Sequence, residues 1–177
     1  MNEMNLKGLY DGNFYHVCTN GLEQVTLLKD EEDFKTAWNY IALIAWHIGV
    51  EVVAFILMSN HMHQILACKD ILQADAAIKL YKKMLSLYLK NKYGLKKVLH
   101  RTDDCISLID TATYMKNCIA YILRNAVCAR ICAKPEDYRW SSYACYFSDA
   151  RSEKSFLVSE LTFSQKRKIL RTGMDLR

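Results

Sequence analysis

The hydrophobic positions of this chain follow two periods, one typical of helices and one typical of strands. Apolar residues that recur three and four positions apart predict three helices, at residues 31–48, at 71–93 and from 110 or 111 to about 131. Shorter apolar segments rich in β-branched and aromatic residues predict four strands, at residues 13–19, 50–58, 61–68 and 104–109. Since only Ser59 and Asn60 separate the second and third strands, we expect these strands to be antiparallel neighbours.

The order of these elements indicates a fold class. The first six, strand–helix–strand–strand–helix–strand, match the ferredoxin-like split βαβ pattern. We therefore predict an α+β fold with an antiparallel sheet, helices on one face of it, and an extra C-terminal helix. One domain is expected over residues 1–147, followed by a polar and charged tail at 148–177. Fold alone indicates no function.

The composition limits the class of protein and the cellular compartment that we expect. The 177 residues are 51% hydrophobic and include one proline and six glycines, which argues against a long disordered linker. The N-terminal segment has no signal-peptide pattern, and the longest apolar run, residues 50–58, is too short to span a bilayer. Seven cysteines, an odd number without a CxxC pair, favour reduced thiols over a disulfide framework. We expect a cytoplasmic protein with no membrane partner.

The charge of the chain is unevenly distributed. The net charge is +5, yet residues 76–102 carry eight basic side chains and no acid, which leaves −3 on the rest. These basic residues are Lys79, Lys82, Lys83, Lys90, Lys92, Lys96, Lys97 and Arg101. Such a block favours a polyanion partner, but a solvated lysine-rich helix face gives the same pattern, and charge alone does not separate the two.

Two histidines, His61 and His63, are the first candidates for chemistry. Residues two apart in a strand point to the same side, so both imidazoles could share one metal ion. A His-x-His sequence also arises by chance, with the side chains making only hydrogen bonds at a sheet surface.

The predicted third helix carries a polar face beside its apolar stripe. Its members are Tyr114, Asn117, Tyr121, Arg124, Asn125 and Cys128. Tyr121 lies one turn from Asn117 and from Asn125, whose amide groups can ligate metal or bind phosphate. The alternative is an ordinary amphipathic tyrosine at the rim of the core.

Three segments of the sequence resemble one protein family. LMSNHMHQIL at residues 57–66 resembles the histidine–hydrophobe–histidine signature of the HUH nucleases, most closely in the form found in REP-associated tyrosine transposases. YILRNAVCARICAKPEDYRWSSYACY at residues 121–146 and FYHVCTNG at residues 14–21 are similar to further motifs of that group. The likeness covers about residues 10–147, in the family's order, which is far more specific than any single motif.

This resemblance implies roles for individual residues. His61, His63 and Asn125 would hold a divalent metal ion, Mg²⁺ or Mn²⁺, and Tyr121 would be the nucleophile that cleaves single-stranded or hairpin DNA and forms a 5′-phosphotyrosine link. From the charge distribution we further predict that the basic segment 76–102 binds the DNA as one wall of a positive groove that leads to the metal. The motif around residues 138–143 would support the fold. The family includes monomers and dimers, so a monomer and a homodimer both stay open.

The sequence also departs from the family pattern. Ser59 and Ala126 replace prolines, Arg130 replaces a glycine, and Asn20 stands where arginine is frequent. None of these changes removes a proposed catalytic group. A second interpretation is therefore a domesticated, non-catalytic nucleic-acid-binding protein with the same fold, and a third is a metal-binding protein unrelated to DNA. The acidic residues are scattered, none beside the histidines in sequence, which argues against a two-metal hydrolase.

Overall fold

The computed structural model describes residues 12–20, 25–95, 99 and 103–147. The elements are β1 (Asn13–Asn20), α1 (Glu31–Ile48), β2 (Glu51–Leu57), β3 (Met62–Cys68), α2 (Ile71–Tyr93), β4 (Asp103–Ile109), α3 (Ala112–Cys128), a single 3-10 turn (Pro135–Asp137) and the short α4 (Tyr143–Phe147). All seven predicted strands and helices are present. The predicted tail at 148–177 lies outside the described residues.

Local capping determines where the first two helices begin and end. The side chain of Asp30 accepts a hydrogen bond from the backbone N–H of Asp33, and Gly49 ends α1 in the left-handed conformation at φ 78°. The side chain of Asp70 caps α2 in the same way, and Gly94 ends it at φ 69°. The bounds predicted for α1 and α2 are confirmed.

The third helix is shorter than predicted, because it ends at Cys128 rather than near residue 131. Arg130 adopts the left-handed conformation, φ 58°, just beyond the helix. The backbone N–H groups of Arg130 and Ile131 donate to the carbonyls of Val127 and Ala126, which is the Schellman pattern of a helix end. Arg130 stands where the family that this sequence resembles has glycine. The conformation at this position is one that glycine adopts more easily than arginine.

The four strands form one sheet in the order β2-β3-β1-β4, and every hydrogen-bonded pair is antiparallel. This is the strand order of the predicted ferredoxin-like pattern. In the register between β1 and β3, Cys18 lies directly opposite His63. The chain beyond α3 returns to the outer edge of β2, where Ser141 bridges Ile56 and the Tyr138 hydroxyl donates to the Leu57 carbonyl at 2.6 Å.

The side chains of each strand alternate between the two faces of the sheet, and each face has its own hydrophobic core. Helices α1 and α2 pack on one face of the sheet, against residues such as Val17, Met62 and Leu66. Helix α3 covers the other face, against residues such as Phe14 and Ile65. Side chains that alternate with the first set therefore face α3, and this layer holds the chemistry described below. Within the described residues, no helix is both long and apolar enough to cross a membrane.

Candidate metal and nucleophile site

Two histidines lie together at the start of β3. His63 is a residue of β3 and points to the α3 face, as Ile65 and Ala67 do, while His61 directly precedes the strand. The centroids of the two imidazole rings are 5.1 Å apart and the rings are nearly perpendicular, at 86°. The strand start thus brings both side chains into one place.

Helix α3 places a tyrosine hydroxyl beside this pair. Ile122 and Ala126 are fully buried against the sheet, which fixes the rotation of the helix about its axis. As a result the hydroxyl oxygen of Tyr121 lies 3.5 Å from Nε2 of His63, at the outer limit of a hydrogen bond. Tyr121 is nevertheless 51% exposed, so this residue lies at the protein surface beside the buried His63.

A third histidine, His16 of β1, completes the cluster. Its Nε2 lies 3.2 Å from Nδ1 of His63, and the two rings stack with centroids 5.3 Å apart. No sequence motif singled out His16 as a site residue. Its position on the predicted first strand was a usable signal, but only the β1–β3 register shows that it meets His63.

Cys18 lies next to these rings on β1. The nitrogen and sulfur donor atoms of His16, Cys18 and His63 all lie within 4.8 Å of one another. Within the described part of the chain, this is the only group of three or more histidine, cysteine, aspartate or glutamate side chains that could hold one metal ion. The described acidic residues therefore contribute no carboxylate to such a group.

Burial keeps the central imidazoles neutral. Desolvation, followed by the neighbouring His61 and His16, lowers the pKa of His63 to about 3. Desolvation also lowers the pKa of His16. Asn60 Oδ1 lies 2.7 Å from Nδ1 of His61, and because an amide oxygen only accepts, that nitrogen carries the proton. Nε2 of His61 then carries the lone pair that a metal ion can bind.

The imidazole nitrogens of His61 and His63 fit a divalent metal ion. Neutral imidazole nitrogens are ordinary ligands for divalent transition metals and bind Mg²⁺ more weakly. The carbonyl of Asn60 orients the ring of His61, as outer partners of metal-bound histidines commonly do. Asn125, the third expected ligand, lies on α3 one turn beyond Tyr121 and is half-buried. Its role as a ligand stays a prediction.

The basic block lies elsewhere. Helices α1 and α2 pack together on the face of the sheet opposite α3. Each of them is the crossover between two strands, and both crossovers lie on that face. Helix α2 therefore does not cover the histidines, and the expectation that the basic segment 76–102 forms one wall of a groove leading to them stays a prediction. Lys79 pairs with Asp75 and Lys82 with Asp104. Lys92 binds the acidic start of α1.

The remaining basic residues divide into two sets. Lys83 and Lys90 form no ion pair among the residues that the structure describes. Lys96, Lys97 and Arg101 lie outside the described residues. A DNA contact by any of the eight basic residues stays a prediction.

Comparison with known proteins supports the fold. No protein-family model matches this sequence, and no curated protein matches it significantly. A solved structure of a REP-associated tyrosine transposase bound to a REP hairpin is similar, with a TM-score of 0.58 and 15% sequence identity. The similarity covers 82% of this chain and 81% of that one. The chain therefore shares the fold of this transposase, an antiparallel four-stranded sheet with helices packed on it.

Proposed function

We propose that this protein cleaves and rejoins single strands of DNA through Tyr121, with a divalent metal ion held by His61, His63 and Asn125. The observation that carries this proposal is the half-exposed Tyr121, whose hydroxyl oxygen lies 3.5 Å from Nε2 of His63. The neighbour that shares the fold is a tyrosine transposase solved with a DNA hairpin, which supports single-stranded or hairpin DNA as the substrate.

The proposed reaction begins with binding and orientation. A tyrosine hydroxyl has an ordinary pKa of about 10 and is a weak nucleophile at neutral pH, so accurate placement matters. The bound metal would supply charge neutralisation at the scissile phosphate. His61 offers Nε2 as a ligand because Asn60 holds its Nδ1 proton, and helix α3 directs Tyr121 to the same place.

In the chemical step, covalent bonds to phosphorus change only between the tyrosine and the DNA. The phenolic oxygen of Tyr121 forms a bond to phosphorus, and the bond from phosphorus to the 3′ oxygen breaks. The phenolic proton leaves to solvent and the 3′ oxygen takes one up, which gives a 3′-hydroxyl and a 5′-phosphotyrosine. Because no water is consumed, a 3′-hydroxyl of the same or another strand can reverse the attack and join DNA.

DNA would contact basic residues on both sides of the sheet. Arg124 is exposed and lies one turn beyond Tyr121 on α3, where it would contact a phosphate near the cleaved bond. The basic residues of the 76–102 segment would contact phosphates farther along the strand. Both a monomer and a homodimer are compatible with this proposal.

The experiment that tests this function is covalent trapping. Labelled single-stranded and hairpin DNAs are incubated with the full chain and Mn²⁺, then separated under denaturing conditions. A labelled protein band that a chelator abolishes supports strand transfer. Binding without a covalent band, across both DNA types and with either Mg²⁺ or Mn²⁺, would instead support the non-catalytic nucleic-acid-binding alternative.

A further inference from the structure

We infer that His16, Cys18 and His63 form a second metal position, suited to a thiophilic ion such as Zn²⁺, whose occupation blocks the catalytic use of His63. The metal position is inferred only from the geometry of these three side chains. The inhibitory consequence rests on the proposed function, because it assumes that His63 binds the metal that serves Tyr121.

The strand register assembles the three donors. Cys18 lies directly opposite His63 across the β1–β3 pair, and His16 is two residues earlier on the same face of β1. Their donor atoms lie within 4.8 Å of one another, and Nε2 of His16 is 3.2 Å from Nδ1 of His63. A tetrahedral zinc ion with bonds of about 2.0–2.3 Å needs donors roughly 3.3–3.8 Å apart, so the more widely spaced donors would approach one another by side-chain rotation when the ion binds.

The donor set selects the kind of ion. A thiolate with two imidazoles is a common zinc environment, whereas Mg²⁺ and Mn²⁺ prefer oxygen ligands. Cys18 and His63 are buried, at 3% and 5% exposure, so binding releases the thiol proton and pairs the buried thiolate with a cation. Three protein ligands leave the fourth position to water.

The two ring nitrogens of His63 connect this position to the proposed catalytic one. Its Nδ1 faces His16 and its Nε2 faces Tyr121. A neutral imidazole has one nitrogen with a lone pair and one with a proton. Binding of Zn²⁺ at Nδ1 therefore places the proton on Nε2, where it donates towards the Tyr121 hydroxyl and prevents Nε2 from joining His61 on a second ion. The two metal positions exclude each other.

Cobalt(II) as a zinc substitute tests the metal position without DNA. Titration of the full chain with Co²⁺ should produce the charge-transfer absorption of a thiolate–cobalt bond at one equivalent. Cys18→Ser should abolish this absorption and bind Zn²⁺ at least about 100-fold more weakly, because removing a group that only orients a ligand already costs about 10–100-fold. Cys145→Ser changes an exposed thiol on α4 and should behave like the wild type.

Competition then tests the inhibitory consequence. Zn²⁺ should suppress the Mn²⁺-dependent covalent adduct of the wild type and of Cys145→Ser, and Cys18→Ser should require far more zinc for the same suppression. A wild type without the thiolate band, or a band that persists in Cys18→Ser, overturns the second metal position. Equal zinc sensitivity of all three proteins overturns the inhibitory link. The absorption is measured without DNA, so a band without any adduct supports this position and counts against the proposed function alone.

Discussion

The hydroxyl oxygen of Tyr121 lies 3.5 Å from Nε2 of His63, although the two residues are 58 positions apart in the chain. Two features of packing produce this proximity. The apolar stripe of α3 rests on the sheet, and His63 points from β3 into the same layer. His16 contacts the opposite nitrogen of the His63 ring, so both edges of that imidazole are engaged.

Asn60 should control metal binding through His61. Its side-chain oxygen accepts from Nδ1 of His61 at 2.7 Å, so Asn60→Ala allows the ring to rotate and to change tautomer. We expect Mn²⁺ affinity to fall about 10–100-fold, measured by calorimetric titration. Asn60→Asp keeps the acceptor and should retain most of the affinity. Equal affinities for wild type and Asn60→Ala would show that this hydrogen bond does not orient His61.

The lysines of α2 allow a test of the wider DNA surface. Replacing Lys83 and Lys90 together by Gln should weaken binding to single-stranded DNA and lower the salt slope by roughly 0.7 for each phosphate that the variant no longer neutralises. The measurement is fluorescence anisotropy over a series of salt concentrations. Lys35→Gln, on α1 and outside this block, is the control. An unchanged slope in the double variant would assign these lysines to a solvated face.

Asp33 should make stability depend on acid pH. Burial alone would raise the pKa of Asp33, but hydrogen bonds from Lys92, the backbone N–H of Lys29, Tyr88 and Tyr93 outweigh it and hold the pKa well below its ordinary value. The unfolded chain therefore takes up a proton first as the pH falls. This stabilisation is complete above about pH 4 and disappears as the pH falls further.

Replacement of Asp33 checks that account. Asp33→Asn leaves Lys92 without its fully buried partner, so we expect the free energy of unfolding at pH 7 to fall by about 3 kcal/mol. Its decline between about pH 4 and pH 2 should become shallower, as measured by urea denaturation. Asp75→Asn removes only an exposed ion pair on α2 and should change stability by less than about 1 kcal/mol. If the free energy of unfolding declines equally in acid for Asp33→Asn and the wild type, Asp33 is not the origin of that decline.

Arg130→Gly should stabilise the protein. A non-glycine residue in the left-handed region costs about 1–2 kcal/mol. Arg130 lies in that region at φ 58°. Part of the gain is offset by the greater backbone freedom of glycine in the unfolded chain, so we expect about 1 kcal/mol. Arg124→Gly, inside α3, should have the opposite sign and cost about 1 kcal/mol. Urea denaturation measures the change in stability of both variants. Destabilisation by Arg130→Gly would contradict the cost assigned to the left-handed conformation of Arg130.

Local signals explain which parts of the fold the sequence predicts. Asp30 and Gly49 act within a few residues, so the bounds of α1 follow from sequence alone. The end of α3 does not, since Arg130 adopts a conformation that its identity disfavours. His16 was missed because its approach to His63 depends on strand register. The face of the sheet that α2 covers could not be predicted, because the charge of a helix does not indicate which face it packs on.

The most direct test of the proposed function is the covalent adduct of Tyr121→Phe. This change keeps the ring and removes the one oxygen proposed to attack phosphorus, so stability and DNA binding should stay near those of the wild type. We predict that Tyr121→Phe forms no denaturant-resistant adduct with labelled single-stranded or hairpin DNA and Mn²⁺. Tyr114→Phe, changed earlier on the same helix, should form it as the wild type does. An adduct of undiminished yield in Tyr121→Phe would contradict the assignment of the nucleophile.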